Sequence, residues 1–356
     1  LNSCTTSYAS DENYLSFLRN SQKKKDSNSD NIFTVTTREL VDSVGQDQAC
    51  PAHRARRSLQ AASGAIISNG LIKLGVTENG ALNINNPSPD PLNGRVGLRY
   101  IFSNGSESEA TSWGCLCEGW GAGADGTKVY FNKSAGSSPS SAYSLLSFSS
   151  TATTAISSVI TADGKLQVTH DFHPSPTTPN LYEVTVTLEN KGSSVINDLR
   201  YCRTMDWDIW PTYFSECVTI QPDPSIVGDF LLAASSDGFA SSDPYAPIIS
   251  RSDFVNAPFT DLGPKDHGAN FDFRFDSLIP GVAFSFNIYY GAAGNQEDAE
   301  NALSLVSAEV YSFGKPRNSA GACTDYPNVF IFVSSVVFYV NQVINVLGDL
   351  LTPTLH

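Results

Sequence analysis

Charge, methionine and long apolar runs are all scarce in this sequence. Only 16% of its 356 residues are charged, and 36 acidic residues outnumber 22 basic ones, which gives a net charge of −14. Because so acidic a chain repels phosphate backbones and anionic lipid, we expect no nucleic-acid partner. Residues 329–351 are apolar but are interrupted by Ser334, Asn341 and Asp349, so they predict no transmembrane span. The hydrophobic content of 41% is typical of a globular protein with a sizeable core.

Cysteine spacings that bind zinc are also absent. None of the seven cysteines forms a CxxC or a Cys/His pattern, so disulfides explain them better than structural zinc. They are Cys4, Cys50, Cys115, Cys117, Cys202, Cys217 and Cys323. Two glycosylation sequons, at Asn104 and Asn132, agree with export. The sequence does not begin with a charged segment followed by an apolar stretch, as expected if a signal peptide has already been removed. We therefore expect a secreted glycoprotein, located outside the cell or on its surface.

The cysteine positions suggest a pairing. Cys202 and Cys217 flank a short segment, and we predict a bridge between them that would close a small loop. Cys115 and Cys117 are only one residue apart and suit the anchors of a tightly stapled loop. We expect three bridges in all, with one thiol left over or bonded between molecules.

The first sixty residues form a separate compositional unit. They hold 8 basic and 7 acidic residues, whereas the rest of the chain holds 14 and 29. We expect an N-terminal arm with a short helix at 11–19, a polar linker at 22–31 and a β-prone run at 32–36. Either the body holds this arm, through a Cys4–Cys50 bridge for instance, or the arm is exchanged with a neighbouring copy of the chain. The basic motif at 54–57 resembles a furin-type cleavage site, or is a solvated basic patch.

The residues that follow the arm have the sequence patterns of β-strands. Asn69-Gly70 and Asn79-Gly80 predict hairpin turns between runs at 65–68, 71–77 and 81–84, which would make a three-stranded meander. Residues 181–189 alternate strictly between apolar and polar, as in a strand with one buried face. One body helix is expected at 297–311. These patterns predict an all-β fold, a large antiparallel β-sandwich or supersandwich with one or two peripheral helices.

On this basis the chain divides into three parts. The arm occupies 1–60, the β-sandwich body 61–335, and a C-terminal amphipathic segment 336–356. Apolar residues in that last segment recur at helical spacing after a buried strand at 329–339. Packing on its own core is the simpler reading of this segment, and packing on a neighbouring molecule or a membrane surface is the other.

Two aligned carboxylates make the densest chemistry in the sequence. Asp206 and Asp208 lie two residues apart on a predicted strand, so both point to the same face. They could bind calcium through oxygen ligands or act as a carboxylate pair on a sugar. In the structural reading they accept loop N–H groups or pair with Arg200 and Arg203.

Three further segments carry candidate residues. His170 and His173 lie where a strand enters a proline-rich loop, and Asp266 and His267 lie in a glycine-rich loop. A histidine beside a carboxylate could act as a general base or bind a metal, although such a loop histidine more often completes a turn. The glycine-rich loop with Trp113 and Trp120 could form a sugar-stacking surface.

Five ordered strings bear a resemblance to known proteins. They are Cys117-Glu118-Gly119-Trp120-Gly121, the segment from His173-Pro174 to Pro179-Asn180-Leu181-Tyr182-Glu183-Val184, the segment from Arg200-Tyr201 to Met205-Asp206-Trp207-Asp208, Asp266-His267-Gly268-Ala269 and Tyr290-Gly291-Ala292-Ala293-Gly294. Over residues 65–335 the chain resembles secreted bacterial β-proteins of unassigned function, many of which carry a C-terminal Pro-Glu-Pro sorting tail. Residues 1–60 and the last sixteen depart from that pattern. More loosely, the chain resembles the galactose-mutarotase superfold, which implies histidine and glutamate acting on a sugar ring.

No motif fixes a reaction, so catalysis is left open and no cofactor is required. The function we expect first is an extracellular structural subunit that assembles with copies of itself into a surface filament, sheath or layer. A carbohydrate-binding or mutarotase-like protein is the second hypothesis. A calcium-dependent adhesin, which uses the same acids without turnover, is the third.

Overall fold

A computed structural model describes residues 64–86, 90, 92–132, 136–247 and 255–341, with side chains described up to residue 335. The arm predicted for residues 1–60, including Cys4, Cys50 and the basic motif at 54–57, lies outside the described residues. Residues 342–356, the greater part of the predicted amphipathic segment, lie outside them as well.

The described residues form twenty-one strands, one α-helix and one 3₁₀ turn. The strands of the first half are β1 (Gly64–Ser68), β2 (Ile72–Thr77), β3 (Ile84–Asn85), β4 (Arg95–Val96), β5 (Leu98–Ile101), β6 (Glu107–Glu109), β7 (Gly119–Ala124), β8 (Thr127–Asn132), β9 (Gly136–Ser137), β10 (Tyr143–Ser150), β11 (Ala155–Thr161) and β12 (Leu166–Pro174). Those of the second half are β13 (Leu181–Asn190), β14 (Leu199–Asp206), β15 (Glu216–Pro222), β16 (Leu231–Ser235), β17 (Phe259–Lys265), β18 (Gly268–Phe275), β19 (Ala283–Ala293), β20 (Val310–Lys315) and β21 (Val329–Asn341). Helix α1 is Gln296–Ser304, and the 3₁₀ turn is Ser140–Ala142.

The strands build two large antiparallel sheets and two small ones. The nine-stranded sheet has the order β10-β11-β12-β13-β19-β21-β20-β15-β17, and the six-stranded sheet has the order β16-β18-β14-β7-β8-β9. Phe271 of β18 stacks on Phe332 of β21 at 5.1 Å, and Tyr201 of β14 meets Phe286 of β19 at 5.2 Å. Because aromatic rings of the two sheets pack against each other, the core lies between the sheets and the predicted all-β sandwich is confirmed.

The alternation predicted for residues 181–189 is present in β13. Tyr182, Val184, Val186 and Leu188 are fully buried, whereas the residues between them are partly exposed. The strand pairs antiparallel with β12 on one side and β19 on the other. Its apolar face therefore supplies the centre of the core.

The predicted three-stranded meander forms only in part. β1 and β2 pair as a hairpin, but the third strand of this sheet is β5, and Leu82 contributes only an isolated bridge to Val76. At the turn Gly70 has φ of 93°, while Asn69 uses its Oδ1 to accept the N–H groups of Leu71 and Ile72. The asparagine side chain thus closes this turn, and it does so without the two positive φ angles of a type I′ turn.

Helix α1 is shorter than the sequence pattern predicts. It begins after Asn295, whose side chain accepts the Asp298 N–H, and ends at Ser304, not at residue 311. Ser307 adopts a φ of 54°, which breaks the helix, and Val310 begins β20 opposite Ser334. The apolar stripe therefore continues as a strand. No helix among the described residues is long and apolar enough to span a membrane.

Both faces of β14 are buried. The side facing away from the nine-stranded sheet is covered by residues 236–247, which are anchored where Tyr245 Oη donates to the Asp198 carbonyl at 2.8 Å and where Lys128 pairs with Asp243. Asp206 at the end of β14 is therefore only 1% exposed, although the alternation of this strand does not indicate it.

Disulfide pairing differs from the prediction for Cys202 and Cys217. Cys217 is bonded to Cys323, which lies 106 residues away, and Cys202 is a buried free thiol. The predicted Cys202–Cys217 bridge is therefore wrong, because the two side chains lie in different sheets, on β14 and β15. Cys115 and Cys117 are bonded to each other and close the expected tight loop.

The two sequons lie in contrasting surroundings. Asn104 is exposed and hydrogen bonds within its own turn to Ser106. Asn132 is fully buried, and its Nδ2 donates to the Cys117 carbonyl at 2.8 Å. The prediction that both sequons lie on exposed loops is wrong for Asn132, because β8 places that amide inside the protein.

The Cys217–Cys323 bridge joins distant parts of the chain, so its removal should be costly. A loop of about 100 residues corresponds to a stabilisation of roughly 2–5 kcal/mol. We expect the double variant Cys217→Ser/Cys323→Ser to lose that amount of unfolding free energy in urea denaturation. Cys202→Ala, which removes a thiol but no bridge, should lose far less. Equal losses in the two variants would contradict this account.

Candidate functional site

Four carboxyl groups meet at one end of the sandwich. Asp206 ends β14, Asp208 follows it, and Asp266 lies in the turn between β17 and β18. Because β14 and β18 are antiparallel with Asp206 opposite Gly268, this turn lies beside the end of β14. Carboxylate oxygens of these three residues lie within 4.8 Å of one another. Glu216, the first residue of β15, is the fourth member of what we call the acidic cluster.

Burial distinguishes the members of the acidic cluster. Asp206, Asp208 and Glu216 are between 0% and 1% exposed, whereas Asp266 is exposed. Glu216 Oε1 accepts the Ile209 N–H at 3.3 Å. Among the described residues, no donor outside the acidic cluster hydrogen bonds to either oxygen of Asp208, to Asp206 Oδ1 or to Glu216 Oε2. Buried oxygens without donors are costly, so this end of the fold holds acceptor groups that protein donors do not satisfy.

The electrostatics of the acidic cluster follow from this burial. Desolvation, together with the charges of Asp206 and Glu216, raises the pKa of Asp208 to about 11. Burial likewise raises the pKa of Glu216 to about 9 and moves the pKa of Asp206 well above its usual range. Without a counter-charge, the buried carboxyl groups are therefore held protonated near neutral pH.

Arginines do not neutralise the acidic cluster. Arg200 pairs with Asp198 at 2.8 Å, and Arg203 pairs with Glu118 at 2.7 Å. The structural reading in which Asp206 and Asp208 pair with these arginines is therefore wrong. Arg203 turns into the core on the opposite face of β14, because odd and even residues of a strand point in opposite directions.

The six predicted site residues fall into two groups. His267 is 4% exposed, and its Nε2 lies 3.3 Å from the Glu216 carbonyl, so it belongs with Asp206, Asp208 and Asp266. His170 and His173 do not join the acidic cluster. His170 lies in the core, and His173 is half-buried beside Glu183, 3.9 Å away.

Glu216, a member of the acidic cluster, and Asp237, an acid near it, are the residues that the sequence patterns missed. Glu216 comes directly before Cys217, and Asp237 follows the serine pair after β16. Asp237 is 4% exposed, and its charge helps to raise the pKa of Asp206, after burial and the charge of Asp266. The residues next to Glu216 and Asp237 form no pattern that predicts a site. Glu216 comes from the start of β15 and Asp237 from the loop after β16, so only the folded chain brings them near Asp206.

Aromatic rings lie next to the acidic cluster. Trp113 stacks on Tyr213 at 4.8 Å, and Tyr213 meets Phe214 edge-on at 5.2 Å. A side chain at Gly114, which has φ of 58°, would come within 2.4 Å of Phe214 and 3.1 Å of Asp208 Oδ2, so glycine permits this close approach. Tyr213 and Phe214 are 39% and 44% exposed. We call these three rings the aromatic shelf.

Trp120 is not part of the aromatic shelf. It is fully buried, and its Nε1 donates to the Asn79 carbonyl at 2.9 Å. The prediction that Trp113 and Trp120 share a sugar-stacking surface is wrong for Trp120, because β7 points it into the core between the sheets.

A second cluster of polar side chains lies at the centre of the core. The Arg203 guanidinium contacts Glu118, the Tyr290 hydroxyl and, at 3.2 Å, the Tyr201 hydroxyl, and both Arg203 and Glu118 are buried. Tyr201 Oη lies 3.0 Å from His170 Nε2. Since Arg203 donates to Tyr201 Oη, the tyrosine hydroxyl can donate to a neutral His170. Burial, reinforced by the positive charge of Arg203, keeps the pKa of His170 well below its usual range.

This environment of His170 predicts a pH-dependent stability. The folded protein keeps the imidazole neutral, whereas the unfolded chain protonates it near its ordinary pKa of 6.5. The unfolded state then binds more protons, so the contribution of His170 to stability falls as the pH drops below that value, by up to ~1.4 kcal/mol per pH unit.

Urea denaturation of the wild type and of His170→Gln between pH 7 and pH 5 would measure this effect. We expect the unfolding free energy of the wild type to fall relative to the variant as the pH drops. Glutamine retains an amide that can hydrogen bond to Tyr201 but has no titrating proton. Parallel pH dependences of the two proteins would show that His170 is protonated in the fold.

Two edges of the nine-stranded sheet differ in character. β17 carries Asp261, Pro264 and Lys265, which are features that block strand addition. β10 has the sequence YSLLSFSS, without charge or proline, and Leu145 and Leu146 are 40% and 49% exposed. Among the described strands, β10 pairs with β11 alone, with a register shift between Leu145 and Ser147.

Comparisons with known proteins identify no family. No family model matches the chain, and no curated protein matches it. Among solved structures, the chain is similar to the Slr1438 protein from Synechocystis sp. PCC 6803, with a TM-score of 0.28 and 5% identity over 79% of this chain and 88% of that one. A TM-score this low supports no inference about function. The resemblance to secreted bacterial β-proteins stays a prediction from the sequence.

Proposed function

We propose that this protein is an extracellular structural subunit that joins copies of itself by extending the nine-stranded sheet at β10. The observation that carries the proposal is the contrast between the two edges of that sheet. Proteins protect edge strands with charges, proline or short length. β17 follows this rule with Pro264 and Lys265, whereas β10 is eight residues long and carries only serine and apolar side chains.

Electrostatics favour the same edge. With a net charge of −14, two copies repel each other over most of their surfaces. Because β10 carries no charged residue, strand addition there brings no like charges face to face. In the six-stranded sheet the edge strands β16 and β9 are only five and two residues long, so they offer little length for pairing.

The partner segment that we propose is the β-prone run at residues 32–36 of another copy. In this run Phe33 and Val35 alternate with Thr34 and Thr36, and the run follows the polar linker at 22–31. Ten extended residues span about 33 Å, which is enough to reach a neighbouring molecule. Strand addition of this kind gains main-chain hydrogen bonds, while pockets for alternate side chains give selectivity.

Two intramolecular disulfides agree with the extracellular assignment. Cys115–Cys117 and Cys217–Cys323 form within one chain, and such bridges persist in oxidising compartments. In a secreted form, Asn104 is the sequon open to a glycan, since its side chain is exposed.

Blocking the β10 edge should abolish assembly in the full-length chain. We expect Leu146→Lys to remain folded, because Leu146 is 49% exposed, but to sediment as a monomer under conditions in which the wild type assembles. Thr260→Lys on the exposed face of β17 is the matched control and should assemble normally. Sedimentation velocity and electron microscopy give the readout. Normal assembly of Leu146→Lys would exclude β10 as the contact.

Removal of the arm tests the identity of the partner segment. We expect deletion of residues 1–60 to leave a folded, soluble body, because the first described strand begins at Gly64, but one that no longer polymerises. Circular dichroism and sedimentation distinguish the results. If the truncated protein forms the same assemblies, arm exchange is wrong and β10 pairs with another segment. If it does not fold, the arm belongs to the core of its own subunit.

A second candidate function, carbohydrate binding, is favoured by the aromatic shelf. Exposed rings next to carboxyl groups are the combination on which sugar faces stack and sugar hydroxyls hydrogen bond. Tyr213 and Phe214 supply the exposed rings, and Asp266 is the exposed carboxylate of the adjoining acidic cluster. A mutarotase-like activity is less well supported, because His267 and Glu216 are both buried.

A further inference from the structure

We propose that Asp206, Asp208, Asp266 and Glu216 form a binding site for a calcium ion. The site lies where the ends of β14 and β15 meet the turn before β18. Its oxygens are already gathered, since those of the three aspartates lie within 4.8 Å of one another. Calcium takes six to eight oxygen ligands, with carboxylates prominent among them.

Independent support for a ligand comes from Glu216, which approaches from another strand. It is fully buried, and its Oε2 has no hydrogen-bond partner among the described residues. The Ile209 N–H donates to Glu216 Oε1 at 3.3 Å, which holds this carboxyl beside the chain segment that carries Asp208. A buried carboxylate oxygen without a donor, next to three other carboxyl groups, is the arrangement that a bound cation would satisfy.

Three basic residues of the neighbouring strands pair elsewhere. Arg200, Arg203 and Lys315 each pair with a carboxylate outside the acidic cluster. Their partners are Asp198, Glu118 and Asp261, respectively. None of these three residues neutralises Asp206 or Asp208.

The ligand atoms decide the class of metal. Cys115 and Cys117 lie within 4.8 Å of an Asp206 oxygen, but they are bonded to each other and offer no thiolate. Soft metals that require thiolate are therefore disfavoured while the bridge is intact. Magnesium keeps several of its waters and is seldom held by an all-protein cage, whereas calcium accepts crowded carboxylates. These arguments select calcium.

The experiment uses the full-length protein after treatment with a chelator. Isothermal titration with calcium chloride should show one saturable site, within the ~0.1–1 mM range of extracellular calcium modules or tighter. Thermal unfolding should shift upward with calcium, as expected for a ligand that binds only the folded state, and much less with an equal concentration of magnesium. No saturable calcium binding would overturn the proposal, because protons alone would then neutralise the cluster.

Variants locate the ion. We expect Asp208→Asn to weaken calcium binding by at least about tenfold, because one ligand charge is lost. Without calcium the same variant should unfold close to the wild-type temperature, because the amide then replaces a buried carboxyl group that is already neutral. Asp229→Asn is the matched control, since it deletes an exposed carboxylate elsewhere and should bind like the wild type.

Two results would contradict this location. Equal calcium binding by Asp208→Asn and Asp229→Asn would place the ion elsewhere. If Asp208→Asn does not fold, Asp266→Asn replaces it, because Asp266 is exposed and tolerates a neutral amide. Loss of calcium binding in the folded Asp266→Asn variant supports the site, and unchanged binding overturns it.

Discussion

The buried ion pair between Arg203 and Glu118 is the contact on which the arrangement of the two sheets depends. Arg203 belongs to the six-stranded sheet, whereas the Tyr290 hydroxyl that bridges the pair belongs to the nine-stranded sheet and donates to Glu118 at 2.6 Å. Glu118 also accepts the Leu82 N–H at 2.5 Å, which joins the β2–β3 connection to the same centre. Since an unpaired buried charge costs several kcal/mol, the sheets can pack only where all these partners meet.

This constraint also sets the position of the acidic cluster. Arg203 must point into the core, so the alternation of β14 turns Asp206 to the opposite face. Antiparallel pairing then brings the turn containing Asp266 beside it, through the match of Asp206 with Gly268. The fold thus holds a satisfied charge pair on one side of β14 and an unsatisfied group of acids on the other. Only the acidic cluster has carboxyl oxygens that protein donors leave unsatisfied, so a ligand can add stability on that side of β14.

The sequence predicts strands and their buried faces where the pattern is periodic and local. It does not predict contacts between residues that are far apart in the chain or in different sheets. Alternation in residues 181–190 is enough to assign β13 and its buried face. Asp206 and Asp208 could be placed together because they are two residues apart on a predicted strand, although β14 ends at Asp206 and Asp208 follows it. Glu216 could not, because β15 belongs to the other sheet. Cys217 similarly bonds a residue 106 positions away, a distance that no spacing rule covers.

The asymmetry of the sheet edges determines what an assembly would look like. If an arm enters the β10 edge of a neighbour, the two surfaces in contact are different, so the interface is heterologous. Each subunit then offers one donor and one acceptor, and the contact repeats head to tail. Such a series forms an open filament unless the rotation between subunits closes it into a ring. The opposite edge, with Pro264 and Lys265 on β17, adds no second direction of growth, so strand addition alone gives a filament and not a layer.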